Sequence, residues 1–354
     1  LALEINMSTS YIIATTAGSS LANEILEVNS SLHGVDVQTK KFSNGEIYTR
    51  PLENIRDKDV YIIASGSGIG DWNINDSVVE TLILFDACKR ADPKSVTFIC
   101  PYFPYIRSDK KVQSREAIAA KAIARAYEPY VNRVAVVDAH FSQFQGFFEK
   151  PVDNLYSVYL FAHYLADHYL GSHGENRDDF VLVSPDCGGS KRVEHFAELL
   201  EMNYVVMNKR RDYTKSNTVL ATEIFNSADA STLVNKTAII IDDIIDSAGT
   251  ITEACKTLDK FKFKDYILVA THGIFSGPAL ERIKNAENIS RVIVSNSVIE
   301  NHTVLPAKID VLSLAELLST YITQLQSGQS VSVLFKEQKI YDERVINRNH
   351  AHYL

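Results

Sequence analysis

Short runs of β-branched and aromatic residues recur along the chain, separated by longer stretches in which apolar residues fall at helical spacing. YIIAT, DVYIIASG, SVTFIC, RVAVVDAH, FVLVSPD, NYVVMN, TAIIIDD, YILVATHG, RVIVSNS and IDVLS are of strand length and largely apolar. Runs of this kind mark strands covered by helices on both faces, as in parallel sheets. Between them, SREAIAAKAIARAYEPY sets Ile118, Ala122 and Ala126 on a helical repeat, with Ser114 and Arg115 expected to open the helix and Pro129 to close it. The pattern predicts an α/β protein throughout, its sheets largely parallel and flanked by helices.

Length divides that pattern. A chain of 354 residues exceeds the size at which one core stops growing, so two domains are expected. The polar stretch GSHGENRDDF, residues 171–180, reads as a surface connection. The expected division is 8–160, 161–325 and a tail from 326 to 354, each domain contributing four or five strands that end in polar, glycine-bearing loops. The opening LALEIN precedes Met7 and lacks the basic start and long apolar middle of a secretory signal, so it is left out of the fold.

Composition removes several function classes. The formal net charge is −8 and the calculated pI is about 5.7, which gives no global reason to expect a nucleic-acid partner. Any anion must be held by local basic clusters. Cys88, Cys100, Cys187 and Cys255 are widely spaced with no CxxC pair, which suits a reducing compartment, the cytoplasm by default, and neither a disulfide framework nor a zinc site. The apolar runs fall far short of the roughly 20 residues that a membrane helix needs, so no membrane partner is expected.

The segment AIIIDDIIDSAGTI, from residue 238, ends an apolar strand in Asp242, Asp243 and Asp246. In open α/β sheets, ligands sit beyond the carboxyl ends of strands, where the turn into the next helix offers backbone N–H groups and the positive end of the helix dipole. Asp246, Ser247, Ala248, Gly249 and Thr250 suit an anion there, since Gly249 allows close backbone approach and Ser247 and Thr250 add hydroxyls. Asp242 and Asp243 suit the opposite kind of partner, because they accept hydrogen bonds from sugar hydroxyls or hold Mg²⁺. An isolated DDxxD is equally an acidic helix cap; the complete order of strand, DDxxDSxGT and helix favours a sugar phosphate.

This loop resembles the phosphoribosyl diphosphate loop shared by phosphoribosyltransferases and ribose-phosphate diphosphokinases. KKFSNGE, PYFPYIRSDKK, DAHFSQFQGFFEKPVDNLY, VSPDCGGSKRV and THGIFSGPA resemble blocks of the diphosphokinase, in the expected order from about residue 11 to about 335. The resemblance implies two similar phosphoribosyltransferase-like domains, the first binding ATP and the second ribose 5-phosphate. It also implies a cytoplasmic homo-oligomer, a hexamer built from dimers.

The same resemblance assigns roles residue by residue. Phe42, Asn44 and Glu46 become adenine contacts, chemically apt because a ring can stack on the base and an amide and carboxylate can read its amine. Arg107, Ser108, Asp109, Lys110 and Lys111 go to ATP, with Ser108 standing where the family has glutamine; fixed cations suit a triphosphate. Asp138 and His140 fall at the metal and ATP phosphates, with Glu149 and Asp153 as further metal ligands and His140 also catalytic. Asp186 becomes a metal or ribose ligand, and Gly188 and Gly189 are expected to turn backbone donors inward as a small cradle. Lys209 and Arg211 in NKRRDYTKSN take the places of two catalytic cations on a mobile loop.

The chemistry implied is transfer of the pyrophosphoryl group of Mg·ATP to the anomeric hydroxyl of ribose 5-phosphate, giving 5-phosphoribosyl 1-diphosphate and AMP. Two other readings compete. Catalytically silent synthetase-associated relatives carry an enlarged segment near the flexible loop, and TVLATEIFNSADASTLVNKT and GIGDWNIND are both lengthened here. Those relatives tend to lose the phosphate loop, which this chain keeps. A type I phosphoribosyltransferase would need a base-binding hood, and no segment supplies one.

Overall fold

The computed structural model describes residues 10–171, 174–212, 218–225, 230–299 and 304–335, with the backbone only at 208–212, 218–225, 230–231, 333 and 335. Two compact units divide the chain. The first takes residues up to Tyr156 and two later segments that begin at Asn296 and Ser313; the second takes Ser157–Ser295 and Val304–Leu312.

In the first unit, β1 (Tyr11–Ala14), β2 (His33–Val35), β5 (Asp59–Ile63), β6 (Ser95–Ile99), β7 (Arg133–Val137) and β8 (Val152–Leu155) form a parallel sheet in the order β2-β1-β5-β6-β7-β8. A separate antiparallel hairpin, β3 (Val37–Lys41) and β4 (Ile47–Pro51), lies against a helix instead of joining the sheet. The helices are α1 (Ser19–Val28), α2 (Ile74–Arg90) and α3 (Ala119–Tyr127). A capping box starts α2: the Asn73 side chain accepts from the amides of Asn75 (2.8 Å) and Asp76 (3.2 Å), and Asp76 accepts from the Asn73 amide at 2.9 Å. Phe85, Phe98 and Tyr127 meet edge to face in the core between α2, α3 and the sheet.

The second unit contains α4 (Val158–Leu165), β9 (Phe180–Ser184), α5 (Ser190–Leu200), β10 (Tyr204–Asp212), β11 (Thr218–Phe225), β12 (Thr237–Ile245), α6 (Gly249–Leu258), β13 (Asp265–Gly273), α7 (Ala279–Asn285), β14 (Ile289–Ser295) and β15 (Ile309–Leu312). Its sheet runs β11-β10-β9-β12-β13-β14-β15, parallel except for the antiparallel β10–β11 pair. On one face, Phe161, Leu165, Val193 and Phe196 cover Leu182, Ile239, Ile241 and Val269.

After β15 the chain returns to the first unit. There α8 (Ala315–Gln326) packs on α1 with Leu318, Tyr321 and Ile322 fully buried. The Tyr321 hydroxyl donates to Asp153 at 2.7 Å, and Arg133 donates to the same carboxylate oxygen at 2.5 Å. The Asn296 amide group donates to Glu24 at 2.7 Å, while its carbonyl accepts from the Leu314 amide at 2.9 Å.

All ten apolar runs are strands, and the sheets are parallel as their burial demands. The units separate between Tyr156 and Ser157, and residues 174–179 form a short, mostly exposed connection into β9 within the second unit. The structure also groups α8 with the first unit, whereas the sequence division placed residues up to 325 in the second. The helix expected from Ser114 begins five residues later, at Ala119. The Glu116 carboxylate takes the amides of Val112 (2.6 Å) and Gln113 (2.8 Å), which ties residues 112–116 into a local turn that competes with the helix.

Candidate active site

The chain order of the second sheet reverses between β9 and β12, so the loops after these two strands leave side by side at their carboxyl ends. That is the position at which open α/β sheets receive ligands. Asp242 and Asp243 stand near the end of β12. The Arg192 guanidinium, from α5, lies 3.8 Å from Asp242 Oδ1 and 3.6 Å from Asp243 Oδ2. Burial and the adjacent Asp243 charge together raise the Asp242 pKa above the ordinary carboxylate range, with Arg192 opposing them in part. Two acids held this close favour anything that neutralises or hydrogen-bonds them, such as a cation or vicinal hydroxyls.

Beyond them the chain turns sharply. Ala248, the residue before α6, is left-handed at φ 58° and buried. Among the described residues, the amides of Ser247, Ala248, Gly249 and Thr250 donate to no protein acceptor. With α6 starting at Gly249, these amides and the helix dipole form a cradle for an anion. Gly249 is not itself left-handed; its value is space, since a β-carbon there would stand 3.3 Å from Arg282 Nη1 and 3.6 Å from Ser247 Oγ. The Asp246 carboxylate accepts from the Ser276 hydroxyl.

The loop after β9 corrects one expectation. Gly188 and Gly189 do not offer their amides inward: both donate to Asp186 Oδ1, at 2.8 and 3.1 Å. A carboxylate two and three residues upstream closes its own turn more readily than it waits for a ligand. A β-carbon at Gly189 would come within 2.6 Å of Ser184 Oγ, so a larger residue there would displace the Ser184 side chain. Asp186 itself remains exposed at the strand end.

NKRRDYTKSN begins as strand. Residues up to Asp212 belong to β10, with Lys209 opposite Thr222 and Arg211 opposite Val219, and a register shift between Arg210 and Arg211. The side chains of Lys209 and Arg211 lie outside the described residues, as do His350 and His352 of the tail.

In the first unit, Phe42, Asn44 and Glu46 occupy the exposed tip of the β3–β4 hairpin. Phe42 keeps 44 % of its surface exposed, with Lys40 Nζ 4.6 Å from its ring centre. The Asn44 side-chain carbonyl accepts from the Glu46 amide at 3.2 Å, on an exposed residue. Arg107, Lys110 and Lys111 are exposed on the loop after β6, and Asp109 is partly so. Ser108 serves the fold as well: its hydroxyl and carbonyl accept from the amides of Ala119 (3.4 Å) and Ala120 (3.2 Å) at the start of α3.

Within the first unit, Glu149 and Asp153 do not converge with Asp138 and His140. Asp138 follows β7 in a left-handed conformation, φ 44°, its amide held by the Leu155 carbonyl at 2.8 Å, and His140 is exposed two residues on. Glu149 lies before β8, with its amide bonded to the Glu128 carboxylate. Because β7 and β8 run parallel, Val134 beside Val152 and Val137 beside Leu155, Glu149 is at the opposite strand end, about 13 Å or more from Asp138. Asp153 is tied to Arg133 and Tyr321 inside the first unit. Among the described residues, no three His, Cys, Asp or Glu side chains converge as a metal-ligand group. Asp138 and His140 nonetheless suit Mg²⁺, which commonly takes one or two protein groups and completes its shell with water and substrate phosphate.

Several contributors escaped the sequence reading. Ser276 and Arg282 brace the anion cradle, and Lys41, Asn75 and Asp76 tie loops to α2. THGIFSGPA was a recognisable block, but nothing in its residue types says which side chain turns toward the neighbouring loop.

A sheet with its switch point at an acidic strand end followed by an open amide turn is the arrangement of an α/β protein of the phosphoribosyltransferase class, and comparison with known proteins identifies the family. A family model described as the N-terminal domain of ribose phosphate pyrophosphokinase matches residues 10–129, and one for the phosphoribosyl transferase domain matches residues 152–308. Ribose-phosphate pyrophosphokinase 4 of Saccharomyces cerevisiae is 38% identical over 301 residues, 83% of this chain and 85% of that protein. The Oceanobacillus iheyensis ribose-phosphate pyrophosphokinase is 36% identical over 92% of this chain and 96% of its own length. The crystal structure of phosphoribosylpyrophosphate synthetase from Mycobacterium smegmatis superposes with a TM-score of 0.78, at 31% identity, over 90% of this chain and 99% of that one. The chain belongs to the ribose-phosphate pyrophosphokinase family.

Proposed function

We propose that this chain is an active ribose-phosphate pyrophosphokinase, transferring the pyrophosphoryl group of ATP to the anomeric hydroxyl of ribose 5-phosphate. The observation that carries the proposal is the turn at Ser247–Thr250, whose amides have no acceptor among the described residues, close after the Asp242–Asp243 pair. The cradle takes the 5-phosphate, and the two acids and Asp246 accept hydrogen bonds from the ring hydroxyls. Phe42, Asn44 and Glu46 suit an adenine base; Arg107, Lys110 and Lys111 suit a triphosphate.

The anomeric oxygen bonds to the β-phosphorus of ATP while the bond from that phosphorus to the bridging oxygen of AMP breaks, and the hydroxyl proton is lost. Such a reaction asks the protein for alignment and charge neutralisation more than for covalent steps. Bound Mg²⁺, with Asp138 and His140 as the groups that suit it, supplies charge neutralisation at the phosphates. Lys209 and Arg211 are assigned to the charge that develops on the transferred group. Four free cysteines, three of them buried, support a reducing cytoplasm, and no helix among the described residues is long and apolar enough to cross a membrane. Family membership supports a homo-oligomer, which light scattering of the purified protein tests.

The decisive assay follows AMP formation from ATP and ribose 5-phosphate with purified protein and magnesium. Lys209→Ala is expected to lower kcat by about 10²–10³-fold with little change in KM, as for removal of a charge-stabilising group. A folded wild-type protein that forms no AMP would instead support the silent regulatory homologue favoured by its lengthened segments.

A further inference from the structure

The loop after β13 and the first turns of α7 touch the anion cradle at several points. The amides of Ile274 and Phe275 donate to the Ile245 carbonyl, at 2.9 and 3.2 Å, and Ser276 donates to the Asp246 carboxylate. Phe275 is left-handed at φ 50°, and its ring fills the space of Gly273, where a β-carbon would stand 2.8 Å from a ring carbon. This fixes the loop against the end of β12. Arg282, in the first half of α7, then reaches across: its Nη1 donates to the Ser247 carbonyl at 2.8 Å and lies 3.3 Å from the β-carbon position of Gly249.

Ser247 and Ala248 share one peptide plane. In a trans peptide the carbonyl and the next N–H point in opposite directions, so whatever holds the Ser247 oxygen also sets the direction of the Ala248 amide. That plane adjoins a left-handed, non-glycine residue, a conformation that persists only where its surroundings enforce it. Among the described residues, the carbonyl's side-chain partner is the Arg282 guanidinium.

We propose that Arg282 is a positioning residue for the sugar-phosphate end of the substrate, holding the Ser247–Ala248 peptide so that the cradle is formed before the anion arrives. The inference rests on the proposed function and adds to it a residue acting through the backbone, one that does not touch the reacting atoms. Its charge makes the contact a strong one, and its planar fork holds a fixed direction better than an ammonium does.

Calorimetric titration of ribose 5-phosphate into wild type, Arg282→Gln and Arg282→Lys tests it, alongside steady-state kinetics. The expected result is an affinity for ribose 5-phosphate about ten- to a hundredfold weaker in Arg282→Gln, the range for a hydrogen bond to a charged group. Its kcat and KM for ATP should stay within about twofold of wild type, and Arg282→Lys should recover at least half of the lost affinity on a logarithmic scale. Equal affinity in wild type and Arg282→Gln would overturn the proposal, as would a fall in kcat with ribose 5-phosphate binding intact. If Arg282→Gln does not fold, Arg282→Lys decides: an affinity as weak as background, with an unchanged melting temperature, is against it. Absence of ribose 5-phosphate binding by the wild type would refute the proposed function itself.

Discussion

Asp242 carries a cost in the folded protein. Its pKa is raised by burial and by Asp243, so the folded protein binds this proton more tightly than the unfolded chain does. The favourable contribution is therefore complete below the unfolded carboxylate value, about 3.9, and is lost as pH rises through the raised folded value. Asp242→Asn removes the titration. At pH 8, where the wild type bears nearly the full penalty, this variant should melt about 2–4 °C higher, as for a change of about 1 kcal/mol in a domain of this size, while ribose 5-phosphate binding weakens. The difference should vanish below pH 4, and scanning calorimetry across that range checks both ends; a lower melting temperature at pH 8 would contradict the reading. The acids were legible in the sequence because charge at the end of an apolar strand has few structural excuses. The self-closing turn at Asp186 was not, since the same letters permit the amides of Gly188 and Gly189 to face a ligand or a neighbour's carboxylate.

The first turn of α2 gathers parts of the first unit that lie far apart in sequence. Lys41, at the end of β3, donates to Asp76 at 2.8 Å; the Tyr105 hydroxyl, in the basic loop, donates to Asn75; and Glu80, fully buried one turn on, accepts from the Thr16 amide (3.0 Å) and hydroxyl (2.8 Å). The β3–β4 hairpin thus rests on α2, not on the sheet. Lys41→Met should raise the KM for ATP about threefold, the scale of a partly exposed ion pair, with the KM for ribose 5-phosphate unchanged; initial-rate kinetics in each substrate separate the two. Sequence pattern revealed the strands of the sheet interiors and missed β2, β3, β4, β8 and β11. HGV and VDNL are short and carry polar or flexible residues, and VQTKK and IYTRP belong to a solvent-facing hairpin with no continuous apolar run. Such strands are specified by partners, the helix beneath the hairpin or the neighbouring strand, and those partners are remote in sequence.

Across the whole molecule, the chain completes its first unit last. Tyr321 binds this arrangement: burial and Asp153 push its phenol above the ordinary tyrosine value, so it remains a donor across the physiological range. Tyr321→Phe removes that donor from an Asp153 still held by Arg133, and should lower unfolding stability by about 1–2 kcal/mol. Urea denaturation measures it, and no change would mean that α8 is held by its apolar face without help. The count of two domains followed from length and was readable, yet the return of α8 was not, because Leu318, Tyr321 and Ile322 make an amphipathic helix that fits either core. The order of synthesis gives this return a consequence. When a ribosome adds β15, nearly all strands of the second unit have been synthesised, but the helix that covers α1 in the first has not. The half made first must therefore wait, with an apolar flank open to chaperones and proteases, until the stretch beyond Ser313 clears the exit tunnel.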